Sequence, residues 1–491
     1  MDKRKFWALF FLIEFFRFLI LFRFDLMPQE AYYFFYSRHL SLSYFDHPPM
    51  IAYFLYIFSL IFGDGVVAVR LTSFITTLVS GVLFFYLSKL ILGEKRAYSA
   101  TILFISTIMF SILSYISTPD VVLVLFWIIS LIFIYKALKK EKLKDFILSG
   151  IFMGFSFSSK YTAVFLPFGL FLFLVLNRKK RHLLFSIKPY LSLIFMFLFS
   201  LEVFIWNYKN NWASFLFQSK ERVNHFSIKD FFNIFGLIGT QSFLLNIIIY
   251  FILLFFTLKF LKKYLKSYRR VLFLFKKRWS FNFLFLLSFF LPIFIAFHLI
   301  GILYWVKINW IIPGYITGII LISFIIKSRE RLYSYLLSLL FHFILVIEIL
   351  LYPIPIKSVD TWFGWKSLSD SLNIILKDYN QDSIFLFSDD GYKTTAELLF
   401  YLKRKVYGPN ILHKFALHYD YIGDDLSKLN GKDAIYVKCD KLDFSQIPKS
   451  PPKILYKYFK DVKVLKVILI KDKFGKVKRK FIVYYCKDYH Y

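Results

Sequence analysis

Three carboxylates in the first 352 residues, Glu30, Asp46 and Asp120, are of a type that does acid–base work. The cations His47, Arg70, Lys160 and Lys307, with Tyr33, Asn207 and Gln218, are of types that bind a phosphate or a sugar. A carboxylate deprotonates a hydroxyl, or holds a divalent cation through its oxygens. Lys, Arg and His neutralise a phosphate and stabilise it as it leaves. Together these groups suit transfer from a phosphate carrier whose apolar tail stays in a bilayer. Only fifteen of the 31 acids fall in residues 1–352, so each one there is informative.

The elements that must position them are apolar. The 491 residues are 58% hydrophobic and 19% charged, with 66 Phe, 34 Tyr and 9 Trp. A soluble protein carries about a quarter charged residues and cannot hide this much Phe. Apolar runs recur to about residue 352, which predicts about eleven membrane-spanning helices with interfacial helices between them. The first run, Phe6–Phe24, follows Asp2-Lys3-Arg4-Lys5 and lacks a small-residue cleavage site, so it reads as a retained helix. The net charge of +32 sits in short loops such as Arg178-Lys179-Lys180-Arg181. That is the positive-inside pattern rather than a nucleic-acid surface. It puts the N-terminus in the cytoplasm and the tail outside.

This orientation gathers Glu30, Arg38, His39, Asp46, His47, Asp120, Lys160, Lys209, Gln218, Lys220, Arg222, His225 and Lys307 at the outer face. Most are explained as loop residues in water. Asp120 and Lys160 are different, because they end apolar helices in turns too short to be freely solvated. A flippase would instead place its ionisable groups in mid-membrane, where Glu14, Arg17, Glu202 and Glu348 are the clear candidates.

The expected architecture is an α-helical polytopic membrane domain over 1–352 and a small soluble α/β domain over 353–491. Ser383–Phe387 and Ala434–Val437 read as strands there, and Thr394–Leu402 as a helix. Cys439 and Cys486 lie in the tail without a CxxC pair; a disulfide and two free thiols both stay open.

Several elements occur together in order: Gln29-Glu30-Ala31-Tyr32-Tyr33, Tyr44-Phe45-Asp46-His47-Pro48-Pro49, Thr118-Pro119-Asp120, and Ser159-Lys160-Tyr161-Thr162-Ala163. Trp206-Asn207, Trp212-Ala213-Ser214-Phe215, Lys307-Ile308-Asn309-Trp310 and Phe363-Gly364-Trp365 follow. This series resembles the bacterial polyprenyl-phosphate-dependent glycosyltransferases of family 39, related to protein O-mannosyltransferases. It is more distantly similar to the lipid A aminoarabinose transferases.

The resemblance implies a GT-C fold in a bacterial cytoplasmic membrane. It implies a polyprenyl-phosphate sugar donor and an acceptor outside, on lipid A or lipopolysaccharide, another glycan or a protein hydroxyl. Asp46 and His47 are the candidate ligands of a divalent metal in that frame, and Lys160 the lysine near the donor phosphate. The family's first-loop acidic pair reads Gln29-Glu30 here, so its first member is an amide. The expectation is that Glu30 or Asp120 removes the acceptor proton. Lys160, with Lys307, Arg70 or His47, neutralises the phosphate, and the anomeric carbon inverts. An inactive scaffold and a lipid or sugar flippase are the alternative readings.

Overall fold

The computed structural model describes residues 2–221, 232–264, 266, 279–356, 358–380, 382–440 and 450–491. The described helices are α1 (Lys3–Ile20), α2 (Pro28–Arg38), α3 (Met50–Phe62), α4 (Val66–Leu92), α5 (Glu94–Ile105), α6 (Ile108–Tyr115), α7 (Pro119–Lys140), α8 (Leu143–Phe157), α9 (Phe165–Leu176), α10 (Ile187–Leu198), α11 (Leu201–Lys209) and α12 (Ala213–Leu216). They continue with α13 (Asn233–Leu245), α14 (Ile247–Tyr264), α15 (Phe281–Leu303), α16 (Ile312–Ile322), α17 (Ser328–Leu351), α18 (Trp365–Leu376) and α19 (Lys393–Leu402). Arg222 and His225, and the side chain of Lys220, lie outside the described residues.

Among the described residues, four helices, α4, α7, α15 and α17, are long and apolar enough to cross a membrane, or six spans if α5–α6 and α10–α11 are each one broken span. The expectation of about eleven also counts α1, α8, α9, α14 and α16, which are shorter or carry more charge. The breaks have local causes. Between α5 and α6 the chain bends by 65°. There the Thr107 hydroxyl donates to the Phe104 carbonyl and accepts from the Phe110 amide, capping the second helix. Between α13 and α14 stands Asn246 with φ +91°. Its amide donates to the Ser334 carbonyl at 2.7 Å and to the Ser338 hydroxyl at 3.2 Å, which fixes that break against α17.

The chain forms two compact units. Unit 1 takes in Met1–Phe18, His47–Ile51 and Leu71–Phe343; unit 2 takes in Leu19–Asp46, Ala52–Arg70 and Ile344–Tyr491. In unit 1, α8 packs between α7 and α10. A Cβ on Gly150 or Gly154 would collide with the backbone of α10, so the small residues set this close approach. The Ser149 and Ser192 hydroxyls meet across it at 3.0 Å. The intramembrane charges Glu14 and Arg17 neutralise each other at 2.5 Å with both side chains buried. Arg17 also donates to the Ser111 hydroxyl and the Ile105 carbonyl, so its charge is held in place rather than lining a path.

Unit 2 takes in part of the first interhelical loop as well as the tail. The tail holds a mixed sheet of β1 (Ile384–Phe387), β2 (Asp433–Asp440), β3 (Phe459–Lys471) and β4 (Val477–Tyr489) in the order β1-β2-β4-β3. The β1–β2 pair is parallel and is crossed over by α19; the other pairs are antiparallel. Ile384 and Leu386 face one core with Trp365, Leu368 and Leu398. Phe385 and Phe387 face the other with Tyr436, Tyr484 and Phe459. A strand buried on both faces reads as the continuous apolar run seen here. Cys439 and Cys486 are not joined in a disulfide. Cys486 pairs in register with Ala434, five residues along β2 from Cys439, a separation of roughly 16 Å that no disulfide spans.

Candidate active site

In unit 1 the site is built at one end of α7. Thr118 precedes the helix and Pro119 takes its first position, where a missing N–H costs nothing. Asp120 therefore sits in the first turn, where the helix dipole favours a carboxylate. The end of α8 supplies its partner. The chain leaves that helix at Ser158, the Lys160 amide donates to the Ser156 carbonyl at 3.0 Å, and the lysine turns inward. Lys160 Nζ donates to Asp120 Oδ1 at 2.7 Å, with side chains 7% and 3% exposed. Asn309 Nδ2 donates to Asp120 Oδ2 at 2.5 Å. Both carboxylate oxygens are thus held, one by a charge and one by an amide.

The Asp-His-Pro-Pro element docks on the same turn, because the Met50 amide donates to the Ser158 carbonyl at 3.0 Å. This brings half-buried His47 into the unit that holds Lys160. Lys307 is exposed on the strap before α16. Gln241 fixes that strap: it donates to the Ile308 carbonyl at 2.9 Å and accepts from the Tyr315 hydroxyl at 2.8 Å. Asn207 is fully buried and ties α11 to α12. It donates to the Val203 carbonyl at 2.9 Å and accepts from the Phe215 amide at 3.2 Å. The Tyr161 and Ser214 hydroxyls meet at 2.7 Å, which ties the Ser-Lys-Tyr-Thr element to the Trp-Ala-Ser-Phe element. Gln218 is half-buried just beyond it.

In unit 2, two residues expected to play separate roles are each other's partner. Arg70 Nη1 reaches both oxygens of Glu30, at 3.0 and 2.8 Å, with neither side chain exposed. Arg70 also donates to the Asp25 carbonyl at 2.7 Å and stacks 4.0 Å over the Phe24 ring. Glu30 also accepts from the Met27 amide at 3.0 Å. In this arrangement each is the other's partner, and the pair staples the loop before α2. Asp46 is half-buried and accepts from the Tyr36 hydroxyl. Tyr33 is buried edge-on to Tyr36. Tyr36 and Tyr44 stack 4.0 Å apart, with His418 edge-on to both. Burial pulls His418 down to about 3. A neutral ring suits its place as acceptor from the Phe45 amide.

Among the described residues, no group of three His, Cys, Asp or Glu side chains is placed to hold a metal. Among the described residues, Asp46 accepts from Tyr36, and no third His, Cys, Asp or Glu side chain joins Asp46 and His47 as a ligand set.

Residues 46–206 match the family described as dolichyl-phosphate-mannose-protein mannosyltransferase. In three dimensions the chain is similar to ArnT from Cupriavidus metallidurans in the apo state, with a TM-score of 0.65 at 13% identity over 97% of both chains. The fold is GT-C. The GT-C likeness extends to the same protein bound to undecaprenyl phosphate, with a TM-score of 0.63, 13% identity and 98% of each chain. The apo oligosaccharyltransferase of Archaeoglobus fulgidus is similar at a TM-score of 0.53 and 10% identity, over 88% of this chain and 70% of that one. No curated protein matches in sequence.

Two further buried or part-buried residues stand out in the structure. Asn309 was visible only as part of the Lys307–Trp310 element. Glu397, on α19, is fully buried, and among the described residues neither of its carboxyl oxygens has a hydrogen-bond partner. Burial, with Asp25 and Glu30 nearby, holds its carboxyl well above the usual range.

Proposed function

We propose that the chain is a membrane glycosyltransferase that moves a sugar from a polyprenyl-phosphate donor to an acceptor at the extracytoplasmic face. The observation that carries this reading is the buried Lys160–Asp120 pair at the end of α7. A buried ion pair is a poor way to gain stability, since desolvation offsets the attraction. It is a good way to keep a base and a phosphate-binding cation ready for use. The likeness to a protein crystallised with undecaprenyl phosphate supports a lipid phosphate as the donor's leaving group.

The donor phosphate takes Lys160 from Asp120. His47 and Lys307 add positive charge around it. Asp120 stays oriented by Asn309 and is freed to accept a proton. The acceptor hydroxyl attacks the anomeric carbon from the face opposite the phosphate, and the new C–O bond forms as the old one breaks. The electron pair of the broken bond goes to the phosphate oxygen, the acceptor proton goes to Asp120, and the anomeric centre inverts. Leaving-group stabilisation by Lys160 is electrostatic, so no acid is required on that side. No step runs through a metal.

Glu30 and Arg70 hold the first loop in this scheme. The acceptor is a lipid A or lipopolysaccharide sugar, another glycan or a protein hydroxyl. The protein sits in a bacterial cytoplasmic membrane with its N-terminus inside and its tail outside. The test is to incubate the purified protein with radiolabelled polyprenyl-phosphate sugars and total membrane lipid or protein. Label in the acceptor fraction supports the reading. Donor that binds but never transfers to any acceptor points to a scaffold.

A further inference from the structure

Unit 2 contains a pocket of about 450 Å³ beside the end of α1. Three cations line it, Arg23, Lys366 and Lys403, over a floor that includes Phe24, Phe400 and Tyr401. Two carboxylates share the lining, and both are engaged. Asp64 is held by Arg38, and Asp25 accepts from the Lys366 amide at 3.2 Å. The cations themselves are less well matched. Arg23 Nε makes a 3.4 Å contact with the Leu19 carbonyl, and Lys403 Nζ a 3.5 Å contact with the Asp64 carbonyl while lying 4.6 Å from the centre of the Phe400 ring, so neither is paired with a carboxylate in the lining. Partial burial lowers Lys403 despite the nearby Asp64, so its ammonium would gain from an anion.

Phe22 of the lining, and the residues that flank Asp64–Val66 in sequence, have the opposite character. Leu60, Ile61 and Phe62 end α3 just before Asp64, and they are 68%, 66% and 42% exposed. Val67 and Phe22 are 46% and 42% exposed on neighbouring positions. Exposed aliphatic and aromatic side chains beside a cationic pocket, where an apolar helix ends, match the boundary between acyl chains and water.

We infer that this pocket binds the phosphate headgroup of an anionic membrane phospholipid, with its acyl chains lying on the Phe22–Ile61–Val67 rim. The headgroup phosphate accepts from Arg23, Lys366 and Lys403, and the apolar rim enters the bilayer. The site needs no catalytic step and stands whether or not the chain transfers sugar.

The test uses the full-length protein in nanodiscs of equal parts phosphatidylcholine and phosphatidylglycerol, followed by detergent extraction and mass spectrometry of the lipid retained. Wild type is expected to retain phosphatidylglycerol in preference. The exposed pair K366Q/K403Q should lower that enrichment about tenfold. K403Q alone should lower it about threefold, which serves if the pair folds poorly. K428Q/K473Q, at exposed lysines elsewhere in the tail, should leave it unchanged. Equal retention of the two lipids by wild type overturns the inference. So does an equal loss in K428Q/K473Q, which would mean diffuse attraction. Glycerol 3-phosphate bound as tightly as the whole lipid would remove the role given to the rim.

Discussion

Lys160 and Asp120 come from turns 40 residues apart and meet at 2.7 Å with almost no exposure to solvent. Each is the other's counter-ion, and Asn309 holds the second carboxylate oxygen. Removing one partner leaves the other buried and uncompensated. Lys160→Met should therefore destabilise unit 1 by about 3–5 kcal/mol, and Asp120→Asn/Lys160→Met by distinctly less. Thermal unfolding in detergent of the two single variants and the double variant reads this directly. Additive losses would mean that the pair is not coupled.

Glu30 and Arg70 make the same contrast in unit 2, with a different consequence. Both are fully buried and their hydrogen bonds serve the loop. Arg70→Met should cost about 3–5 kcal/mol, because Glu30 is left charged in the interior. Glu30→Gln should lower the melting temperature but keep transfer per folded molecule near wild type. A loss of transfer above tenfold in well-folded Glu30→Gln would return Glu30 to the chemistry.

Glu397 gives a pH signature. Its folded carboxyl lies well above the ordinary value of 4.5, mainly through burial. Below that ordinary value both folded and unfolded chains are protonated, and no penalty exists. As pH rises above it the unfolded chain releases a proton that the folded chain keeps. Stability then falls by up to about 1.4 kcal/mol per pH unit until the folded value is reached. Glu397→Gln should remove this slope from the unfolding of unit 2. An unchanged slope in that variant would show that Glu397 is not its source.

Gly150 faces the Ser192 carbonyl with no room for a side chain. Gly150→Leu should force α8 from α10 and displace the Ser158–Lys160 turn at the end of α8. Both thermal stability and donor affinity should fall. Wild-type donor affinity in a folded Gly150→Leu would separate this packing from the site.

Much of the frame was legible because apolar run length is a strong signal. Val66–Leu92 is a single long helix within the apolar part of the chain, and Lys160 lies in the short turn between α8 and α9. The breaks at Thr107 and Asn246 were not legible, since each depends on side-chain bonds that a hydropathy run does not show. The tail strand β3 is hard to read because lysines interrupt its apolar run, as in Phe459–Lys471. The partnership of Glu30 with Arg70 joins residues 40 apart through folding. From types alone, one reads as a base and the other as a phosphate ligand. Asp120 and Lys160 stood out for a reason that survives: charged groups at the ends of apolar helices need partners, and these two found each other.

The most direct test measures donor binding and transfer separately in wild type, Asp120→Asn and Lys160→Met, using a radiolabelled polyprenyl-phosphate sugar that wild type transfers. Lys160→Met should weaken donor binding at least tenfold. Asp120→Asn, with Lys160 released, should bind donor as tightly as wild type or tighter and transfer about 10²–10⁴-fold more slowly. Transfer at the wild-type rate by Asp120→Asn, or unchanged donor binding by Lys160→Met, would contradict the exchange of Lys160 from carboxylate to phosphate.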